Sequence, residues 1–447
     1  SLDGTLLING QFVYNGTSFT GDSNTRLQFL ANSSYDHQVN PNNDLPVAAW
    51  DATSTCQISG TASGLITPGN LNQSFGNFIV NSSLTGADFI DLGGNLQTVA
   101  GDFDIQNLGS GFLYLTLGPS YNLAIGGDLT LGASTGVVFN FDNNSSITVG
   151  GDYSSASGFA IFTNAGTLDL DVAGSYTDSG TSDLTFSTGS SNIEVGGDFD
   201  VSGTISRSNT TGSATVTFDG GGVVVQNLVS TLNQASVDLS FNFGSGLTPS
   251  SFNLNGNFIT VSGNYTVVNG STLDLSTGYL GGTGDFTLDG TSELQLGSTD
   301  ASGAIQNNTT AGNLRTSGMR TFSSGAQVTF NGAGAQVISN AYPTDSGLDL
   351  EINNTNGVNL LGDVTVGGDL TLLDGDLNVG SNQLTLQGTI SPNSNFIDVT
   401  SDSDIIINGS GAFGVFPFAG TATLNNFSFG RVDRKSTRLN SSHPSRS

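Results

Sequence analysis

A short phrase of two small residues, a polar residue and a large apolar one returns along this chain at intervals too regular for an ordinary globular domain. It reads Ala100-Gly101-Asp102-Phe103, Gly126-Gly127-Asp128-Leu129, Gly150-Gly151-Asp152-Tyr153, Ala173-Gly174-Ser175-Tyr176 and Gly196-Gly197-Asp198-Phe199, so that its second position falls on Gly101, Gly127, Gly151, Gly174 and Gly197. Fixed-period repetition marks an array of supersecondary units, each unable to bury its apolar face until the next stacks on it. Between phrases the alternation has a period of two, as in Asp128-Leu129-Thr130-Leu131, Gly136 to Phe141 and Ser146-Ile147-Thr148-Val149. Period two puts every other side chain on one face of a strand. Three short strands per step predict an all-β fold, a parallel β-helix (three-sided β-solenoid) with coils of about 21–26 residues, stacked roughly 4.8 Å apart. The 63 glycines argue against helices and are expected at corners that need a positive φ.

A longer repeat overlies the short one. Val216-Thr217-Phe218-Asp219-Gly220 returns as Val328-Thr329-Phe330-Asn331-Gly332, and Thr260 to Val267 parallels Thr365 to Leu372. The expected organisation is an N-terminal segment with atypical Trp- and Cys-containing coils (1–125), β-helix repeats (126–300), a second copy of the longer module (301–430) and a basic tail (431–447). That tail holds Arg431, Arg434, Lys435, Arg438 and Arg446 and no strand alternation, and reads as non-native read-through. The chain opens at Ser1-Leu2-Asp3, so it is expected to be a fragment whose export signal, if any, lies upstream.

Charge and cysteine narrow the function. The net charge is −28, and residues 1–430 contain only Arg26, Arg207, Arg315 and Arg320 as cations. Nucleic acid is therefore not an expected partner, because its affinity rests on neutralising phosphates. No apolar run approaches the roughly 18 residues of a membrane-spanning helix, so membrane insertion is not expected. Cys56 is the only cysteine; it excludes an internal disulfide and reads as a small buried hydrophobe.

The phrases Val328 to Ser339, Leu350-Glu351-Ile352-Asn353-Asn354 and Gly375 to Leu386, with the segment Leu45 to Cys56, resemble the repeat region of large secreted Bacteroidota surface proteins that use type IX secretion. The resemblance implies an extracellular or cell-surface location, an adhesin-like fibre and no reaction.

Pectin-degrading β-helices need clustered Asp with a nearby His, or Ca²⁺-binding carboxylates beside an Arg. The body of this chain has one histidine, His37, and no adjacent Asp pair, so no catalytic residue and no enzymatic activity are expected. The alternative is a carbohydrate-binding or carbohydrate-active (lyase- or glycosidase-like) β-helix. His37 reads as a turn residue, and Trp50 as an apolar plug on the first coils or a sugar-stacking platform. Asp-x-Asp pairs recur, including Asp374/Asp376; in Asp102/Asp104 and Asp198/Asp200 the carboxylates should point outward while Phe103, Ile105, Phe199 and Val201 point in. Asp102, Asp104, Asp198 and Asp200 are thus candidate ligands for a structural Ca²⁺, against the plainer reading of a solvated acidic face; no other cofactor is expected. Surface glycans or other cells are the expected partners.

Overall fold

Glycine-rich corners and period-two apolar strands allow each coil to pair its backbone with the coil before it, and the chain does this throughout. The computed structural model describes residues 4–429, apart from stretches of which the longest are 17–25, 184–189, 409–415 and 420–425. The tail at 431–447 lies outside the described residues. No helix occurs among the described residues, and their strands pair in parallel. The protein is a parallel β-solenoid. It divides into two compact units, Ser1–Thr266 with Gly281–Asp285, and Val267–Leu280 with the residues from Phe286 onward.

In the first unit three strand rows recur in chain order. One contains Asn77–Asn81, Phe103–Asn107, Leu129–Leu131, Tyr153–Ser155, Tyr176–Asp178 and Phe199–Val201. The second contains Phe89–Asp91, Phe112–Tyr114 and Gly136–Phe139, and the third Tyr121–Ile125, Ser145–Val149, Thr167–Val172, Ser190–Val195 and Ser213–Phe218. The three strands expected between Asp128 and Val149 are these three rows. Register is residue on residue, Ile125 over Val149, Val172 over Val195 and Val195 over Phe218. Like side chains therefore stack inward, each essentially unexposed. Burial of such a row contributes about 25 cal/mol per Å² of apolar surface, which single coils cannot gain.

The second unit repeats the scheme. Glu293–Leu296, Gln327–Phe330, Asp349–Asn353 and Leu370–Asp374 form one row, Val358–Leu360, Leu377–Gly380 and Ile397–Val399 another, and Val364–Val366, Gln383–Leu386 and Asp404–Ile407 the third. Coil length varies more than the repeated phrase leads one to expect. Asp349 and Asp369 are 20 residues apart in successive coils, whereas Glu293 pairs with Gln327 across 34, because the connection between the strands Glu293–Leu296 and Leu314–Thr316 is longer than elsewhere. Row register is preserved around it, since each row is fixed by its own inter-coil bonds and not by the length of the corner.

The repeated phrase itself does something other than bend the chain through positive φ. Gly126, Gly127, Gly150, Gly151, Gly196 and Gly197 all lie outside the left-handed region, which corrects the corner expectation for these residues. Glycine is needed because the polar residue of the coil below occupies the place of a Cβ. A Cβ on Gly127 would lie 2.1 Å from Asp102 Oδ1, one on Gly151 2.0 Å from Asp128 Oδ1, and one on Gly174 2.2 Å from Asp152 Oδ1. Those oxygens are there because each accepts the next coil's backbone N–H. The Asp128 N–H donates to Asp102 at 3.0 Å, that of Asp152 to Asp128 at 2.8 Å and that of Ser175 to Asp152 at 2.7 Å. The ladder starts lower, with the Asp102 N–H on Asn77 Oδ1 at 2.9 Å, and continues through Ser175 Oγ and Asp198 Oδ1 to the Asn227 N–H. In the second unit the carboxylates of Asp349, Asp369, Asp363 and Asp376 accept the N–H groups of Asp369, Thr389, Gln383 and Phe396 in the same way.

Gly151→Ala should therefore lower stability by about 2–4 kcal/mol, through a steric clash and a lost bond to a charged group. Asp128→Asn should be nearly neutral, as Asn77 already fills this role. Urea unfolding of Gly151→Ala, Asp128→Gly and the double variant would test the contact. The double variant should cost clearly less than the sum of the singles; additivity would mean that the two residues do not meet.

Candidate functional site

The four candidate Ca²⁺ ligands fall into two roles. Asp102 and Asp198 sit at the corner and carry the ladder; Asp198 also takes the Asn227 side-chain amide at 3.0 Å. Asp104 and Asp200 lie on strands with outward side chains while Phe103, Ile105, Phe199 and Val201 are buried. Asp104 Oδ2 accepts from Gln106 at 2.7 Å, and its stacking neighbours are Ile79 and Thr130. Asp200 stacks on Thr177, and its Oδ1 is buried without a hydrogen-bond partner. The pairs belong to different coils and do not converge. Among the described residues no group of three or more His, Cys, Asp or Glu has a metal-holding arrangement.

Carboxylates do gather on outer faces that the repeated phrases do not mark. In the first unit Asp171 stacks on Glu194, and burial, with Asp219, Asp171 and Asp169 nearby, pushes Glu194 above the usual carboxylate range. Burial and Asp171 do the same to Asp219. In the second unit Glu293 Oε1 accepts Thr329 Oγ1 at 2.6 Å and Gln295 Nε2 at 3.0 Å. Glu351, on the same row, is raised by burial and by Glu293, and Asp274 likewise. The signal that could have found them is register: acidic residues at equal phase in successive coils, visible only once coil lengths are known.

His37 and Trp50 lie inside the first coils. His37 is unexposed; its Nδ1 is 2.8 Å from the Tyr35 hydroxyl and its Nε2 is buried without a hydrogen-bond partner. Burial lowers its pKa, against the opposing pull of the Asn40 backbone and Asp36. A core residue replaces the expected turn residue, because His37 shares the inward phase of Tyr35 on the strand Ser34–His37. Trp50 packs flat on Phe29 at 4.2 Å and against Phe75 at 5.3 Å. It pairs over Phe29 within a row instead of closing the stack, and it is half-buried, bordering a groove with Asn70, Asn72 and Gln73. Cys56 is buried and its thiol pKa raised by burial.

The arginines that a lyase would need hold the backbone. Arg320 donates to the carbonyls of Gln306 at 2.6 Å and Thr316 at 2.6 Å. Arg315 lies 3.8 Å over the Tyr279 ring, and Arg207 pairs with Asp238 at 3.4 Å.

Sequence reasoning missed a set of buried amides. Gln226 Nε2 donates to Val195 and Gly197 carbonyls while its Oε1 accepts the Gly220 N–H. Gln336 repeats this with Leu296, Ser298 and Gly332, and Asn313 with Ser276, Gly278 and Ser298. Each amide ties two alternate carbonyls of one coil to an N–H elsewhere. A glutamine inside an apolar run, as in Ala335-Gln336-Val337, is the trace left in the sequence. The chain matches no protein-family model, no curated protein and no solved structure.

The opposite pKa directions predict opposite local pH responses. His37, with a lowered folded pKa, leaves stability intact above its ordinary 6.5 and removes it as the pH falls below that value. Glu194 and Asp219, raised in the fold, contribute stability that is complete below their ordinary 4.5 and 3.8 and lost as the pH rises through the folded values. Amide exchange, corrected for its intrinsic pH dependence, should show the strand Ser34–His37 and its neighbours losing protection as the pH falls below 6.5, and the strands around Glu194 and Asp219 gaining it as the pH falls toward 4.5 and 3.8. A uniform change along the chain would contradict both assignments.

Proposed function

We propose that this chain is a non-enzymatic segment of a secreted or cell-surface fibre, adhesin-like in role, whose work is to hold a long, acidic, regularly spaced surface. The observation that carries this reading is the corner ladder. The side chains best suited to chemistry bond instead to the backbone: Asp at the corners, Gln226 and Gln336 to that of neighbouring coils and Arg320 to that of its own. Each such bond contributes about 0.5–1.5 kcal/mol, more where a carboxylate accepts, and the unit lengthens by repetition without a new design. The acidic outer rows keep such a fibre soluble and repel polyanions. Extracellular or bacterial cell-surface placement, with glycans or other cells as partners, belongs to the same proposal.

One observation favours a carbohydrate-active second reading. Glu293 and Glu351 lie on one row, and Glu351 is raised by burial and by Glu293, as a general acid requires. Incubation with neutral and uronic polysaccharides, scored for new reducing ends or unsaturated products, decides between them. The fibre reading expects no release, and release abolished in Glu293→Gln and Glu351→Gln would replace it with the second. Pulling single molecules should further show unfolding in small coil-sized steps, at clearly lower force in Gln336→Leu, which takes their partner from the Ser298 carbonyl and the Gly332 N–H at about 1–3 kcal/mol each.

A further inference from the structure

One strand row of the N-terminal coils stops inside the stack. Leu6–Ile8, Leu27–Phe29 and Ala49–Trp50 pair in order, and among the described residues no strand of the next coil continues them. The neighbouring row runs straight on, with Thr55–Ile58 pairing with Asn77–Asn81. One side of the coil therefore stays closed while another opens between residues 47–50 and 70–74. The opening is a groove of about 640 Å³, within the range of small-molecule sites.

Specific bonds hold the break open. Gln73 takes the place of the missing strand: its Oε1 accepts the Ala48 N–H at 2.8 Å and the Trp50 indole N–H at 3.3 Å, and its Nε2 donates to the Pro46 and Asn70 carbonyls at 3.0 and 2.6 Å. Asn70, at φ 60°, donates its Nδ2 to the Leu45 carbonyl at 2.8 Å. These bonds fix both sides of the groove and the orientation of the indole, which Phe29 supports flat from the coil below. Phe75 meets the indole at 46°, a wedge and not a stack, and Trp50 keeps part of its surface in the groove. Asn72 and Ser74 are exposed on the opposite side, and their side chains make no hydrogen bond among the described residues. No charged residue lines the groove, although the chain carries a net charge of −28.

We infer that this groove binds a neutral saccharide, one sugar ring lying against the open part of the Trp50 indole with its hydroxyls bonded to Asn72 and Ser74. An indole suits the C–H face of a pyranose, and an amide and a hydroxyl both donate and accept, as sugar hydroxyls do. A lining without cations leaves the charge of a uronate, a sulfate or a phosphate unpaired, and one without carboxylates offers little to a metal ion. The inference deepens the adhesin reading and rests on it, because it concerns recognition of a glycan without chemistry.

Trp50 is the only tryptophan in the chain, so indole fluorescence reads this site alone. The full chain is titrated with neutral gluco-, xylo-, manno- and galacto-oligosaccharides and with an oligogalacturonate. At least one neutral sugar should give a saturable change in emission and shield Trp50 from acrylamide quenching. By calorimetry its affinity should fall about ten-fold in Asn72→Ala, the size of one lost hydrogen bond, at an exposed position whose variant should melt as the parent does. Trp50→Phe, which keeps a ring on Phe29, should weaken it as well, and Asn378→Ala, on the second unit, should bind unchanged. Indifference of Trp50 to every neutral sugar, preference for the oligogalacturonate, or binding that survives both Asn72→Ala and Trp50→Phe would each overturn the site. Cleavage of a bound sugar would overturn the fibre reading while leaving the groove, and an empty groove would leave the fibre reading as it stands.

Discussion

A coil of parallel strands must turn at each corner while keeping its backbone N–H groups paired, and the Gly-Asp corner meets both demands at once. The N–H beginning the next strand points down the stack toward the coil below, where a carboxylate or amide oxygen meets it, as Asp128 and Asp152 illustrate. That oxygen fills the space a side chain would need, which is why Gly127, Gly151, Gly174 and Gly368 precede the donating N–H. One hydrogen bond therefore dictates two sequence positions per coil and locks neighbouring coils in phase. The inward rows depend on this phase, because a slip of one residue would turn Val149 and Val172 outward.

The same economy accounts for the interior polar groups. Buried polar atoms are costly unless bonded, and the buried amides of Gln226, Asn313 and Gln336 each bond two carbonyls and an N–H at places where coil length changes or a strand ends. His37 departs from this pattern: one nitrogen is bonded to Tyr35 and the other has no hydrogen-bond partner, and burial lowers its pKa. The outer faces combine acidic rows with a concave, amide-lined corner in the second unit.

Much of this was legible in the chain. The recurrence of Gly-Gly-Asp marked the coil period, and the alternation through Leu129-Thr130-Leu131 and Ser146 to Val149 marked the three strands and their inward faces, since period two is local. The concave corner at Asp374, Asp376 and Asp398 was not legible. Asp374 and Asp376 appear in the sequence as one more Asp-x-Asp pair, and nothing local brings Asp398, a full coil beyond Asp376, beside them; that takes the short coils of this stretch and the register of Asn378 with Asp398. The interior position of His37 and the stacking of Trp50 on Phe29 escaped for a related reason, since both depend on which phase of a short strand faces inward.

The sequence by itself determined that the chain is all-β, that it coils in parallel turns and which apolar residues line the inside, because a repeat of this period cannot bury its strands in any other way. Only the tertiary structure decided why the corner glycines are glycines, which carboxylates meet and where the surface becomes concave. Those properties belong to contacts between coils, and a contact between coils is set by register and by the length of each excursion, neither of which any single coil encodes.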